Sequence, residues 1–153
     1  MGRVHVHAHG AFPPARFVAA LTDFGPGRST IWGANDETRL TVHDRGDTWA
    51  DVTEGSSAPG SVWQRSRYDW SAPGAVTLEV LESNAFGPGS RWTYLLEEGK
   101  TGGTDIDLTI VRVPTTTKGK VLDAVLSLGG GVYFARDLRR SIRRLESQSS
   151  PPT

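Results

Sequence analysis

From Val62 to Ile110 apolar and polar residues alternate through four consecutive runs, and a period of three to four residues takes over from Lys118 to Glu146. Alternation places successive side chains on opposite faces of a strand, whereas the longer period lines one side of a helix. The same reading extends to the start of the chain. Val4, Val6, Ala8, Gly10 and Phe12 alternate with His5, His7, His9 and Ala11, which predicts a first strand over Arg3–Phe12. Pro13-Pro14 suits the first turn of a helix, where a missing N–H costs nothing, and Phe17, Val18, Leu21 and Phe24 supply its apolar stripe. Gly25-Pro26-Gly27 ends that helix, and Arg28–Ala34 reads as a second short one carrying Ile31 and Trp32. Six further strands follow: Thr38–Asp44, Thr48–Glu54, Val62–Ser71, Ala75–Ser83, Ser90–Glu98 and Thr104–Val113. Their breaks are Arg45-Gly46-Asp47, Ser57–Gly60, Ala72–Gly74, Gly87–Gly89 and Gly99–Gly103.

In each run the more apolar set is expected to face inward: Leu40 and Val42; Ala50 and Val52; Val62, Gln64, Ser66, Tyr68 and Trp70; Val76, Leu78 and Val80; Trp92, Tyr94 and Leu96; Ile106, Leu108 and Ile110. Arg65, Arg67 and Asp69, like Asp105, Asp107 and Thr109, belong to the opposite, solvent side. Along the final helix Val121, Val125, Leu128, Val132, Ala135, Leu138, Ile142 and Leu145 form one stripe, which predicts a face buried for its full length. Gly129-Gly130-Gly131 interrupts it, at roughly 2–3 kcal/mol of helix propensity relative to alanine. Either a bend or close backbone contact with the sheet accounts for the glycines, or they leave room beside a ligand. The polar, Pro-rich residues Ser147–Thr153 read as a frayed tail, so the single expected domain is 1–146.

At 153 residues and 37% apolar composition the chain is long enough for one sizeable core. Seventeen basic and seventeen acidic residues cancel, leaving no overall field toward nucleic acid or an anionic surface. The absence of cysteine removes disulfides, thiolate metal sites and Cys nucleophiles, and fits a reducing, cytoplasmic setting. No run matches the ~7–15 apolar residues of a signal peptide after a basic start, nor the ~18 of a membrane span.

The order of one strand, two short helices, six strands and a long C-terminal helix resembles the helix-grip fold of the START-like superfamily, within it the polyketide cyclase/dehydrase-like proteins. The resemblance covers nearly the whole chain. It is carried by Gly10-Ala11-Phe12-Pro13-Pro14-Ala15-Arg16-Phe17-Val18, Leu21-Thr22-Asp23-Phe24, Gly60-Ser61-Val62-Trp63 and Arg91-Trp92-Thr93-Tyr94 with Gly102-Gly103-Thr104. These are marks of fold, not of catalysis. The resemblance implies an α+β architecture in which a curved seven-stranded antiparallel sheet grips the helix around a deep apolar cavity, used by different members for lipids, sterols, plant hormones or polyketide intermediates. In aromatase/cyclase members a cavity arginine on the strand matching Val62–Asp69 polarises the substrate carbonyl. Its position falls on the outward Asp69 here, and a helix tyrosine of that site falls near Ala34. Both departures count against cyclase chemistry.

The expected partner is therefore a hydrophobic small molecule, lipid or polyketide-like, held between sheet and helix, with no cofactor implied. Its expected contacts are Gln64, Ser66, Tyr68, Trp70, Leu78, Trp92, Tyr94 and Leu108 of the sheet and Val125, Leu128 and Val132 of the helix. Gln64, Tyr68 and Tyr94 would present polar atoms, and Trp70 and Trp92 would stack on a flat ring; ordinary core packing is the plain alternative for each. No catalytic residue can be assigned, although an enzyme would need an ionisable group in the cavity, with the phenols of Tyr68 and Tyr94 as candidates.

His5, His7 and His9 sit two apart on one strand face, about 6.6 Å between neighbours, a spacing two zinc ligands can use. In the resembled fold the first and last strands pair, which sets Asp105 and Asp107 beside them on the outer face. Cross-strand His–Asp pairing then explains the series without a metal. Arg136, Arg139, Arg140, Arg143 and Arg144 complement the negative end of the helix dipole. No Ser-His-Asp arrangement, dinucleotide loop or P-loop is present. Pairing of exposed edge strands would allow a homodimer.

Overall fold

Strict alternation produces the first strand: along Gly2–Gly10 (β1) every even position is buried and every odd one exposed. The computed structural model describes residues 2–56 and 61–149. After β1 come α1 (Pro14–Leu21), a 3-10 turn (Arg28–Thr30), β2 (Asn35–Arg45), β3 (Trp49–Ser56), β4 (Trp63–Asp69), β5 (Ala75–Ser83), β6 (Arg91–Glu98), β7 (Thr104–Arg112) and α2 (Thr117–Ser149). The strands form one curved antiparallel sheet of seven in the order β1-β7-β6-β5-β4-β3-β2. The expected break at Ser57–Gly60 lies outside the described residues, as do the last four of the expected tail.

Pro14 opens α1, Phe17, Ala20 and Leu21 are its buried face, and the Thr22 hydroxyl donates to the Val18 carbonyl at its end. The second short helix expected over Arg28–Ala34 is a single 3-10 turn. Gly27 enters it at φ +90°, a conformation that favours glycine. Its N–H and the Ser29 hydroxyl both donate to the Glu37 carboxylate, which ties the turn to β2. That strand begins at Asn35 because Asn35 and Asp36 already pair with Ser56 and Gly55.

The inward sets of β4 to β7 lie where the alternation put them: Ser66, Tyr68, Val76, Leu78, Val80, Tyr94, Leu96, Ile106, Leu108 and Ile110 are all buried. Val42 is a correction, being 37% exposed. Edge strand β2 slips register between Asp36 and Thr41 and again after Val42, so alternation fails there. Leu40 still packs against the core.

The larger correction concerns α2. Leu138, Ile142 and Leu145 are buried as expected, but Val121, Val125, Leu128 and Val132 face solvent, with Leu128 91% exposed. The inward row is a different one: Leu122, Leu126, Gly130, Phe134, Leu138 and Ile142, each four residues after the last, are buried or half-buried. At 3.6 residues per turn a step of four rotates about 40°, so this row winds around the helix and merges with the expected stripe only in its second half. α2 runs without interruption through Gly129-Gly130-Gly131. Gly130 faces β1, where a Cβ would lie 3.3 Å from Leu126 Cβ and 3.5 Å from Val4 Cγ2, while Gly129 and Gly131 face open space. Close approach to the sheet therefore accounts for the middle glycine. The helix extends to Ser149, three residues past the expected end at Glu146.

Two buried ion pairs fasten the elements. Arg112 of β7 donates through Nε to Asp123 of α2 at 3.0 Å, and Arg28 of the 3-10 turn does the same to Glu54 of β3 at 2.9 Å. On the outer face Arg65 bridges Asp51 and Glu82, and its hydrogen bonds hold the Asp51 carboxyl below the usual range. No helix among the described residues is long and apolar enough to cross a membrane.

Candidate functional site

Aromatic packing shapes the space between α1 and the sheet. Phe17 of α1 meets Tyr94 of β6 and Trp32 after the 3-10 turn, with ring centroids 5.7 Å apart in both pairs, and Trp92 meets Phe134 of α2 at 5.4 Å. Beside this cluster lies a pocket of about 210 Å3. Leu21, Arg28, Trp32, Ala34 and Asn35 line it from α1, the turn and the start of β2; Glu54, Gln64, Tyr68, Leu78, Trp92 and Tyr94 line it from the sheet; Asp137 lines it from α2.

One wall is a closed ionic network. The Arg28 side chain is only 2% exposed. Its Nε donates to Glu54 Oε1, its Nη1 to the carbonyls of Leu21 and Asp23 at 2.8 and 2.7 Å, and its Nη2 to the Tyr68 hydroxyl at 3.3 Å. Glu54 Oε1 also accepts from Asn35 Nδ2 at 3.4 Å, and Glu54 Oε2 accepts from Tyr68. Burial works against the Arg28 charge, but Tyr68 and Glu54 more than offset it and hold the guanidinium pKa above its ordinary value. Burial, and then the Glu54 carboxylate, push the Tyr68 phenol well above its own. Phe24 stacks on the guanidinium at 4.7 Å and completes the enclosure.

Asp137 and the Tyr94 hydroxyl stand outside this network. Burial raises the pKa of the Asp137 carboxyl, with Arg144 and Arg140 pulling the other way. The carboxyl has no hydrogen-bond partner among the described residues, and neither has the Tyr94 hydroxyl. Burial and then the charge of Asp137 raise the Tyr94 phenol in turn.

Of the eleven residues expected to contact a ligand, the structure brings Gln64, Tyr68, Leu78, Trp92 and Tyr94 to the pocket. Ser66 is buried under Gln64, whose amide donates to it at 2.9 Å, Leu108 is buried core, and Trp70 is half-buried against that core away from the pocket. Val125, Leu128 and Val132 are corrections, lying on the solvent side of α2 because the inward row is the one through Leu126 and Gly130. Asp69, at the cyclase arginine position, turns outward and accepts from the Ser71 N–H and hydroxyl.

Arg28, Glu54 and Asp137 were missed. Glu54 continues the inward positions Ala50 and Val52 of β3, a signal present in the alternation. Asp137 flanks the inward row, three residues after Phe134 and beside Leu138, a place visible only once that row replaces the Val121–Val132 stripe. Arg28 had no local signal, since its partners lie on three other segments.

His5 and His7 both reach Asp107 Oδ1, at 3.1 and 2.8 Å, and His9 reaches Asp105 at 2.8 Å, all on the exposed outer face. This is the cross-strand pairing expected of that face, and the Asp107 hydrogen bond raises the His7 pKa.

No family model and no curated protein matches the sequence. Solved structures do match. The protein TTHA0849 from Thermus thermophilus superposes with a TM-score of 0.76 at 19% identity over 97% of this chain and 100% of that one. The Zhui aromatase/cyclase from Streptomyces sp. R1128 gives 0.79 at 15%, covering 97% and 96%. The ginseng major latex-like protein 151 from Panax ginseng gives 0.64 at 15%, covering 98% of both chains. A seven-stranded curved sheet, a long closing helix and superposition over nearly the whole length of these structures together show that this chain has the helix-grip fold.

Proposed function

We propose that the chain binds a small, mostly apolar molecule in the pocket between the sheet and α2. The observation that carries this reading is the convergence of Trp32, Trp92 and Tyr94 on a space that also holds two polar groups unpaired among the described residues, Asp137 and the Tyr94 hydroxyl. A filled core would have satisfied or excluded such groups. At about 210 Å3 the space lies below the ~300–1,000 Å3 of drug-sized sites, so its occupant is of single-ring size rather than a long lipid. The fold is shared with an aromatase/cyclase and a latex-like protein, but fold alone does not choose a ligand.

Native mass spectrometry of protein purified from cell extract tests the reading. One small adduct per chain, released on denaturation and lost in Gln64→Trp, supports it. An unliganded mass, together with Trp fluorescence that indole or naphthalene leaves unchanged, defeats it.

One observation favours an enzymatic reading of the same pocket: a carboxyl whose pKa burial raises is a candidate to donate or accept a proton. A polyketide cyclase/dehydrase-type activity would then rest on Asp137. The pocket arginine is a poor carbonyl activator, because four of its five N–H groups already serve Glu54, Tyr68 and two backbone carbonyls.

A further inference from the structure

We infer that the pocket is built for a small organic cation, an amine carried on a flat apolar group, with Asp137 as its counter-charge; this rests on the pocket being a binding site. Among the described residues three charged side chains line the space, and two cancel. Arg28 and Glu54 form an ion pair whose charges offset each other, with four of the five guanidinium N–H groups and both carboxylate oxygens engaged by each other, by Tyr68 and Asn35, and by the backbone of Leu21 and Asp23. Asp137 is left over. It sits on the inward side of α2 without a hydrogen bond to any described residue.

The other unpaired group points to the same chemistry. Tyr94 is 5% exposed, its hydroxyl has no partner among the described residues, and Asp137 acts on it electrostatically. An ammonium group supplies several N–H donors and a charge, which a carboxylate and a phenol oxygen can share. Aromatic rings attract cations over their faces, and Trp32, Trp92 and Tyr94 line the pocket. The charged and titratable groups near Asp137 are Glu54 from β3, Arg28 from the turn, Tyr68 from β4, Tyr94 from β6, and Arg140 and Arg144 from its own helix. The last two are exposed, and Arg144 donates to the Ile31 carbonyl. No lysine or histidine among the described residues lines the pocket, so an anion would meet an unpaired carboxylate with no free cation there to receive it.

Isothermal titration of the full chain with 2-phenylethylamine, 2-phenylethanol and phenylacetate, on wild type and Asp137→Asn, tests the inference. The amine should bind about 10- to 100-fold more tightly than the alcohol, the span of a charged hydrogen bond, and phenylacetate should give no heat. Asp137→Asn removes an unpaired carboxyl and should fold; it should abolish the preference for the amine over the alcohol. Amine affinity in wild type should also fall as pH drops and Asp137 takes up its proton. Equal binding of amine and alcohol, or an amine affinity that survives Asp137→Asn, overturns the cation while the pocket stands. Failure of all three probes, with unchanged Trp fluorescence, removes the binding site itself.

Discussion

Glu54→Gln removes the counter-charge of a guanidinium that is almost wholly enclosed. Arg28 stays positive, since its ordinary pKa is far above neutrality, and its surroundings offer the Tyr68 hydroxyl and two carbonyls but no second carboxylate in contact among the described residues. Removing one member of a buried pair typically costs about 3–5 kcal/mol, because the remaining charge keeps its desolvation penalty. With a total stability of roughly 5–15 kcal/mol for a domain of this kind, that is a large share. In urea, at an m-value near 2 kcal/mol/M, the midpoint should move down by roughly 1.5–2.5 M. Far-UV circular dichroism and Trp fluorescence should report the same transition. Arg28→Met should cost at least as much, since it also strips the Leu21 and Asp23 carbonyls of their donor. The double variant Arg28→Met/Glu54→Gln should lose less than the sum of the two single changes by ~1 kcal/mol or more, the coupling expected within one network. A Glu54→Gln loss under about 1 kcal/mol, or simple additivity, would mean that water reaches the guanidinium and that the enclosure argument is wrong.

Gly129→Ala and Gly131→Ala, both facing open space, should each stabilise the protein by about 0.5–1 kcal/mol, whereas Gly130→Ala, crowded by Leu126 and Val4, should gain less; urea titration decides. Leu128→Lys should leave stability within about 0.5 kcal/mol of wild type while Leu138→Ala costs roughly 2–5, and a reversed order would restore the stripe that the fold rejects. Because the Asp137 pKa is raised on folding, the native state holds its proton longer than the unfolded chain does. Stability from this group is therefore greatest in acid and declines as pH rises from the unfolded carboxyl pKa, about 3.9, through the folded one. Asp137→Asn should flatten that decline and raise the neutral-pH melting temperature, and an unchanged pH profile would count against burial of the carboxyl.

Much of this architecture is written locally. β1 is an alternation of Val4, Val6 and Ala8 with three histidines, and strand order in the resembled fold was enough to set those histidines against Asp105 and Asp107. The inward sets of β4 to β7 follow from period two because each strand has neighbours on both sides to hold its register. Edge strand β2 lacks that support, and Val42 turned out. Helix α2 was misread for a different reason. Its inward row passes through Gly130, which adds no apolar signal, while Val121, Val125, Leu128 and Val132 make a stronger stripe that no part of the sheet covers. The candidate site was half legible. Tyr68, Tyr94, Trp92, Gln64 and Leu78 follow from strand parity, whereas Arg28 depends on contacts with residues up to forty positions away, which no local pattern encodes.

The pairing of β1 with β7 also orders events during synthesis. Gly2 aligns with Arg112 and Gly10 with Thr104, so no residue of β1 has its ladder partner until nearly the whole sheet has left the ribosome. At ~5–20 residues per second, a gap of about 100 residues lasts roughly 5–20 s. During that interval Val4, Val6 and Ala8 form a sticky ribbon awaiting its mate, with imidazoles at every second position on the other side.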